Sequence, residues 1–154
     1  MKTPLRIAVG SDHAGFSRKQ FLRDALLGLG FKVVDLGCHR EERCDYPDFA
    51  KKVAESVAKG RCDKGLLICG TGIGMSIAAN KVQGIRAAVA WNSFTAQVAS
   101  EHNWSNVLCL PGRLLSHSQA LRILKVWLRT APAPGRHERR VRKIEKLEQG
   151  RCAG

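Results

Sequence analysis

Short apolar runs alternate with longer amphipathic stretches along the 154-residue chain, and this alternation predicts repeated β-α units. The apolar runs predict five strands, over residues 5–10, 31–36, 65–69, 85–90 and 106–110. The amphipathic stretches predict six helices, over residues 16–29, 47–59, 73–81, 93–102, 116–129 and 136–149. Because parallel strands are joined by crossover helices, the pattern indicates a parallel sheet with helices on both faces.

Residues that favour helix ends support these bounds. Pro47 is favoured in a first helical turn, Ser116 is a good N-cap, and Gly30 is a natural C-cap. We therefore expect an α/β fold with a single domain over residues 1–154, a Rossmann-like three-layer sandwich around a five-stranded parallel sheet. Residues 131–154 are expected to form a short Ala-Pro linker and a C-terminal basic helix.

The segment from Leu66 to Ser76 carries the strongest chemical signal. An apolar strand stops at Cys69, and Gly70-Thr71-Gly72-Ile73-Gly74 leads into a helix. Alternate glycines let the backbone turn tightly and bring its N–H groups close to a ligand, and the helix start adds positive potential. These partial charges favour a thiolate, so we interpret Cys69 as a base or nucleophile beside an anion hole. The alternative interpretation is a small buried core residue, which cysteine commonly is.

Other polar residues also follow strands or end helices. Asp12-His13 comes after the first strand and Arg113 after the fifth, and such folds bind ligands outside the carboxyl ends of their strands. The pair either has a function, which is to handle protons or to hold a phosphate, or forms a turn in which Asp12 caps the helix. His102 ends a helix, where histidine is commonly a charge partner of the terminus. Arg136 and Arg140 share a helix face, and they either clamp a phosphate or belong to a solvated basic surface.

The sequence restricts location and cofactors. It has no apolar run long enough to span a bilayer and no signal-peptide core after Met1, so we expect a cytoplasmic protein. Close Cys/His pairs with metal-ligand spacing and dinucleotide-binding glycine patterns are absent, so neither a zinc site nor a dinucleotide cofactor is expected. The six cysteines contain no C-x-x-C pair and are expected to be free thiols, namely Cys38, Cys44, Cys62, Cys69, Cys109 and Cys152.

The formal net charge of +13 is concentrated near the C-terminus. From Arg113 onward there are eleven Lys and Arg residues against three Glu, a formal charge of +8. Such a surface attracts phosphorylated substrates or nucleic acid. The basic tail has no interleaved aromatic residues for base stacking, which argues against nucleic-acid binding.

Together these segments resemble ribose-5-phosphate isomerase of the B type, in the family that also contains allose-6-phosphate and galactose-6-phosphate isomerases. The resemblance covers almost the whole chain, and its longest run extends from Cys69 to Lys81. The chain departs from the family pattern at Trp104-Ser105, where a small acidic pair is expected, at Pro111 and in the loop 38–44. The shorter matching segments are Gly10 to Gly15, Asp45-Tyr46-Pro47, Gly84 to Ala87, His102-Asn103, Asn106 to Leu108, Arg113, and Gly135-Arg136-His137 with Arg140.

The resemblance implies isomerisation of a sugar phosphate through an enediolate, without a metal or organic cofactor. It implies that Cys69 moves the proton between C2 and C1, that Thr71 and Asp12 assist hydroxyl protons, and that His102 opens the sugar ring. The enediolate oxygen and the sugar would be contacted by Gly70, Gly72, Ile73, Gly74, Met75, Ser76, Tyr46 and Asn103. The phosphate would be held by His13, Arg113, Arg136 and Arg140.

The resemblance also implies a homodimer or homotetramer whose sites lie across the subunit interface, with the last helix reaching the partner's site. One chain contains Cys69, His102 and both arginines, which favours the homomeric ribose or allose branch, because the galactose enzyme divides its site between two different subunits. We therefore expect interconversion of D-ribose 5-phosphate and D-ribulose 5-phosphate in the pentose phosphate pathway. Allose 6-phosphate is the alternative substrate, and a non-enzymatic polyanion-binding module is the alternative of a different class.

Overall fold

Strands and helices alternate along the chain in the computed structural model, which describes residues 3–151. The strands are β1 (Arg6–Ser11), β2 (Lys32–Asp35), β3 (Lys64–Cys69), β4 (Ala87–Val89) and β5 (Val107–Pro111). The helices are α1 (Phe16–Gly28), α2 (Tyr46–Ala58), α3 (Ile73–Ala79), α4 (Ser93–Glu101), α5 (His117–Arg129) and α6 (Arg136–Arg151).

All strand pairs are parallel, and the spatial order is β2-β1-β3-β5-β4. Ser11 pairs with Ile68, and Cys69 pairs with Pro111. This register brings the carboxyl ends of β1, β3 and β5 level with one another. The expected α/β fold with a five-stranded parallel sheet is confirmed.

Alternating residues of β3 supply the two faces of the sheet, as the period of a strand requires. Leu66 and Ile68 pack with α1, α4 and α5, in a core that also contains the fully buried Trp127. Leu67 and Cys69 point to the other face, where α2 and α3 cover them. Each large apolar side chain buried this way contributes about 1.5–3 kcal/mol, so both faces of the central strand are strongly anchored.

The boundaries of α3 and β4 differ from the predicted ones because two asparagine side chains replace backbone partners. Helix α3 ends at Ala79, two residues before the expected Lys81. The amide of the C-cap residue Asn80 exchanges hydrogen bonds with the N–H and C=O of Ala87 at 2.7 and 2.9 Å. Asn106 Oδ1 accepts from the N–H of Arg86 at 2.8 Å, so residues 85 and 86 precede the strand. A hydrophobicity pattern contains no information about such side-chain substitutes.

Helix α6 lies beside the amino end of β4 in its own chain. Val141 is buried, Glu148 accepts from the N–H of Gly84 at 3.0 Å, and Glu145 is 3.7 Å from the Arg86 guanidinium. On the outer side of the helix, Arg142 is exposed and pairs with Glu145 at 3.0 Å. No helix within residues 3–151 is both long and apolar enough to cross a membrane.

The cysteines at positions 38, 44, 62, 69 and 109 are free thiols, as expected. Cys152 lies outside the described residues.

Candidate active site

Three turns converge where β1, β3 and β5 end. The N–H of Asp12, just after β1, donates to the carbonyl oxygen of Ile68 at 3.2 Å. On the other side of β3, the N–H of Gly112 donates to the carbonyl oxygen of Cys69 at 2.7 Å. The strand ladder thus extends into the turns, and it fixes Asp12 and Gly112 on either side of Cys69.

Cys69 is 5% exposed, and its Sγ accepts a hydrogen bond from the N–H of Gly72 at 3.2 Å. Gly72 adopts a φ of +82°, a conformation that side chains disfavour. A Cβ at this position would also lie 3.1 Å from the carbonyl carbon of Leu110. Glycine is therefore required for the turn that directs an N–H group at the sulfur.

The remaining residues of this turn lie near the surface at the start of α3. Thr71 is exposed, and its Oγ1 accepts from the N–H of Ile73 at 3.3 Å. The ring of Tyr46, at the start of α2, covers Gly74 so closely that a Cβ there would be 2.7 Å from ring carbon Cζ. Because the first N–H groups of a helix have no partner within it, this turn presents hydrogen-bond donors under the tyrosine ring.

Asp12-His13 provides a carboxylate and an imidazole beside the turn over residues 69–74, which we call the cysteine turn. The Asp12 carboxylate, on a residue that is 7% exposed, accepts from the N–H of Gly15 at 3.0 Å. Asp12 therefore forms a turn ahead of α1, and its carboxylate binds the N–H of the N-cap residue Gly15 and not an N–H within the helix. His13 Nδ1 accepts from the N–H of Cys44 at 3.4 Å, which places the proton of a neutral imidazole on Nε2.

Arg113 also lies where the strands end, and it forms one group with Asp12, His13 and the cysteine turn. Its N–H donates to the carbonyl oxygen of Gly70 at 3.3 Å. The guanidinium folds over the same glycine, because a Cβ on Gly70 would be 3.6 Å from the Arg113 Nη1. An exposed cation therefore lies next to the glycine-rich turn, as phosphate binding requires.

His102, Asn103, Arg136 and Arg140 form a second group. Helix α4 leaves the carboxyl end of β4 and must return to the amino end of β5, so His102 at its C-cap lies at the opposite edge of the sheet from Cys69. The start of α6 is tied to the same place, because the Ala133 N–H donates to the Glu101 carbonyl oxygen at 2.8 Å. One copy of the chain thus separates its candidate site residues into two groups at opposite edges.

The His102 ring stacks on His137, with ring centroids 4.1 Å apart and an interplanar angle of 7°. Burial, His102, Arg136 and Arg140 all lower the pKa of His137, and Glu101 raises it less. His137 therefore favours its neutral form, which keeps one more positive charge away from the two arginines. The sequence contained this residue within a matching segment, but nothing in its spacing indicated the stack.

Trp104, a departure from the family pattern, joins α4 to the segment before α6. It has a φ of +52°, which is unfavourable for a bulky residue. Its indole Nε1 donates to the Ala133 carbonyl oxygen at 3.0 Å, and its own carbonyl accepts from Arg86 Nε at 2.9 Å. These contacts offset the backbone strain and hold the linker next to His102.

Each group lies beside a cavity. A cavity of 450 Å³ at the carboxyl edge is lined by His13, Cys44 and Asp48, among others. A cavity of 390 Å³ at the amino edge of β4 is lined by Asn103, Asn80 and Glu148, among others. Among residues 3–151, no group of three or more His, Cys, Asp or Glu side chains is arranged to hold a metal ion.

The fold and the two groups define an α/β protein with a small-ligand site at the edge of a parallel sheet. The Ribose/Galactose Isomerase family pattern matches residues 7–144, and the chain belongs to this family. The resemblance predicted from the sequence is confirmed.

Relatives cover nearly the full length of the chain. Ribose-5-phosphate isomerase B of Escherichia coli K12 is 44% identical over 146 residues, which cover 95% of this chain and 98% of the relative. A ribose-5-phosphate isomerase B structure from Clostridium thermocellum superposes with a TM-score of 0.94 at 49% identity, covering 95% of this chain and 99% of that one. The Mycoplasma genitalium structure with bound ribulose-5-phosphate has a TM-score of 0.90 at 42% identity, covering 94% and 96% of the two chains.

Proposed function

We propose that this protein interconverts D-ribose 5-phosphate and D-ribulose 5-phosphate through an enediolate. The observation that carries the proposal is the cysteine turn, in which Gly72 donates to Cys69 Sγ between the fixed turns of Asp12 and Gly112. Its relative from Mycoplasma genitalium, at 42% identity, carries ribulose-5-phosphate. We infer a cytoplasmic enzyme of the pentose phosphate pathway.

In the proposed reaction Cys69, as thiolate, removes the proton from C2 of the open-chain aldose. The electrons move toward the C1 carbonyl and form the enediolate, whose developing negative charge is stabilised by N–H groups of the turn from Gly70 to Ser76. Thr71 transfers the proton between the two oxygens, and the Cys69 thiol returns the first proton at C1. No external oxidant or reductant is needed, because C1 is reduced and the neighbouring C2 is oxidised within the same substrate molecule.

The other side chains bind and prepare the substrate. His102 opens the furanose ring, and Asp12 assists hydroxyl protons. Tyr46 and Asn103 contact the sugar, and Arg113 and the histidine at position 13 hold the phosphate together with Arg136 and Arg140. The phosphate is bound away from the reacting carbons, and this binding orients C1 and C2 against Cys69. Binding energy lowers the reaction barrier in this way, because it fixes the reacting atoms in position.

Because one copy places His102 and the two α6 arginines at the edge opposite Cys69, we propose that sites form between two copies in a homodimer, alone or as half of a tetramer. Each site would combine the cysteine turn of one copy with the α4–α6 residues of its partner. Exposed apolar residues on α3 and after the carboxyl ends of β4 and β5 supply a surface for this contact, namely Ile73, Ile77, Trp91, Phe94 and Leu114.

The direct test is the formation of ribulose 5-phosphate from ribose 5-phosphate by the purified, metal-stripped protein. We expect steady turnover without added metal or cofactor. Activity on allose 6-phosphate alone would assign the site to the six-carbon substrate. A folded protein with reduced thiols that turns over neither sugar would contradict the proposed function.

A further inference from the structure

Arg18 of α1 is an unusual buried cation. It is 8% exposed, and among residues 3–151 it takes part in no ion pair with a carboxylate. Its buried Nε has no hydrogen-bond partner within the same residues, and burial lowers the pKa of its guanidinium. Burying a charge is costly, so its remaining contacts need to be strong.

Those contacts all go to the segment after β5. The Arg18 Nη2 donates to the carbonyl oxygens of Gly112, at 3.3 Å, and of Leu115. Its Nη1 lies 2.8 Å from Nδ1 of His117. Arginine is only a donor, so His117 Nδ1 is an acceptor and the neutral ring carries its proton on Nε2.

A second residue of α1 supports the same segment. The Phe21 ring stacks on His117 with centroids 4.4 Å apart and an interplanar angle of 12°. Ser116 and Gln119 form a capping box that fixes the start of α5. Helix α1 thus holds the end of the 112–116 loop, and the Arg18 guanidinium reaches back to its beginning.

This loop carries Arg113. On its inner side the Gly112 N–H donates to the Cys69 carbonyl oxygen at 2.7 Å, and on its outer side the Gly112 carbonyl accepts from Arg18. Arg113 therefore directly follows Gly112, a residue whose N–H and carbonyl groups are both hydrogen-bonded. Without Arg18, the inner hydrogen bond would remain, but two carbonyls of the loop would lose their donor.

We propose that Arg18 is a positioning residue that fixes the 112–116 loop, so that the Arg113 guanidinium is oriented toward the substrate phosphate. The proposal rests on the proposed function for the phosphate role of Arg113. Cys69 is held by the strand ladder without Arg18, since Cys69 itself pairs with Pro111 of β5 and its neighbour Ile68 pairs with Ser11 of β1. Loss of Arg18 is therefore expected to weaken phosphate binding and to leave the proton transfer largely intact.

The test compares Arg18→Met with Arg61→Met, an exposed arginine in the turn before β3. For Arg18→Met we expect the KM for ribose 5-phosphate, and the Kd for inorganic phosphate measured by calorimetry, to rise about tenfold, with kcat within about twofold. Arg61→Met is expected to match the wild type in all three values. Unchanged KM and Kd in a folded Arg18→Met variant, or a loss confined to kcat, would overturn the proposal.

His117→Leu provides a second variant if Arg18→Met does not fold. It removes one acceptor of Arg18 from an exposed position and retains the two loop carbonyls. We expect a smaller rise in the same KM and Kd, and no rise would contradict the proposed role. The Kd for phosphate can be measured without turnover. A wild-type protein that binds phosphate but isomerises neither sugar would therefore contradict the proposed function, and the Kd values of the variants would still test the role of Arg18.

Discussion

Two sulfur atoms on neighbouring strands have different surroundings. Cys69 at the end of β3 receives the Gly72 N–H, whereas Cys109 is fully buried within β5. Burial, and then the nearby Cys69, raise the pKa of the Cys109 thiol. Cys109 therefore stays protonated and inert, and its position inside the strand gives it no access to a substrate.

The two cysteines form a matched pair of variants. We expect Cys69→Ala to lower kcat at least about 10³-fold, as loss of a positioned base does. Cys109→Ala is expected to cost about 1 kcal/mol of unfolding free energy and to retain kcat. Coupled assays for kcat and thermal unfolding for stability measure both effects, and an active Cys69→Ala enzyme would exclude Cys69 as the base.

His137 is expected to make stability depend on pH. Its pKa in the folded protein is lowered by burial, His102 and the two arginines, so the unfolded chain binds this proton more readily. The unfolding free energy therefore falls as the pH drops from about 7 to about 5, through the ordinary histidine range. His137→Phe keeps a stacking ring without a titrating group, and we expect a shallower fall in its Tm over that interval. An equally steep fall in both proteins would show that other groups cause it.

At the scale of elements, a buried ion pair joins α1 to β2. Lys19 is fully buried, and its Nζ lies 2.6 Å from Asp35 Oδ2. Burial alone would raise the pKa of Asp35, but Lys19 and the Gly37 N–H outweigh it, so the pKa is lowered. Stability from the ionised Asp35 is therefore present above the ordinary aspartate pKa and is lost as the pH falls through the lowered value.

We expect Lys19→Met to destabilise the protein by about 2–3 kcal/mol, because it leaves the largely buried Asp35 charged, with only the more exposed Arg23 guanidinium at 3.5 Å as an ion-pair partner. Adding Asp35→Asn is expected to restore part of this loss, since the amide oxygen still accepts from Gly37 without a net charge. Chemical denaturation of both variants at neutral pH measures the difference. A double variant less stable than Lys19→Met would contradict this explanation.

The elements themselves were largely predictable from the sequence, because apolar periodicity reports which residues face a core. Cys69 and Arg113 could be placed at one edge of the sheet because Cys69 ends a predicted strand and Arg113 comes shortly after another. The ends of α3 and β4 were less predictable, since the amides of Asn80 and Asn106 replace backbone partners there. Arg18 contacts residues 94 to 99 positions away, and local patterns do not report such contacts.

At the scale of the whole molecule, the positions of the candidate site residues and of the exposed apolar side chains support the proposed homodimer. The cysteine turn and the His102–Arg136 group lie at opposite edges of the same sheet, separated by the strands. Exposed side chains such as Phe94 and Ile77, which are 70% and 58% exposed, lie on α4 and α3. A symmetric pairing that covers these residues would create two equivalent composite sites.

Mixing two inactive variants tests this assembly. In a mixed dimer of Cys69→Ala and His102→Gln, one composite site carries both changes and the other carries neither. After random exchange of subunits in an equal mixture, half of the dimers are mixed, and each mixed dimer has one intact site of two. We therefore expect about a quarter of the wild-type activity to return. Mixing Cys69→Ala with the double variant of both changes is the control, because every composite site then lacks Cys69. If each chain built its own site, neither mixture would recover activity, and the proposal of shared sites would be wrong.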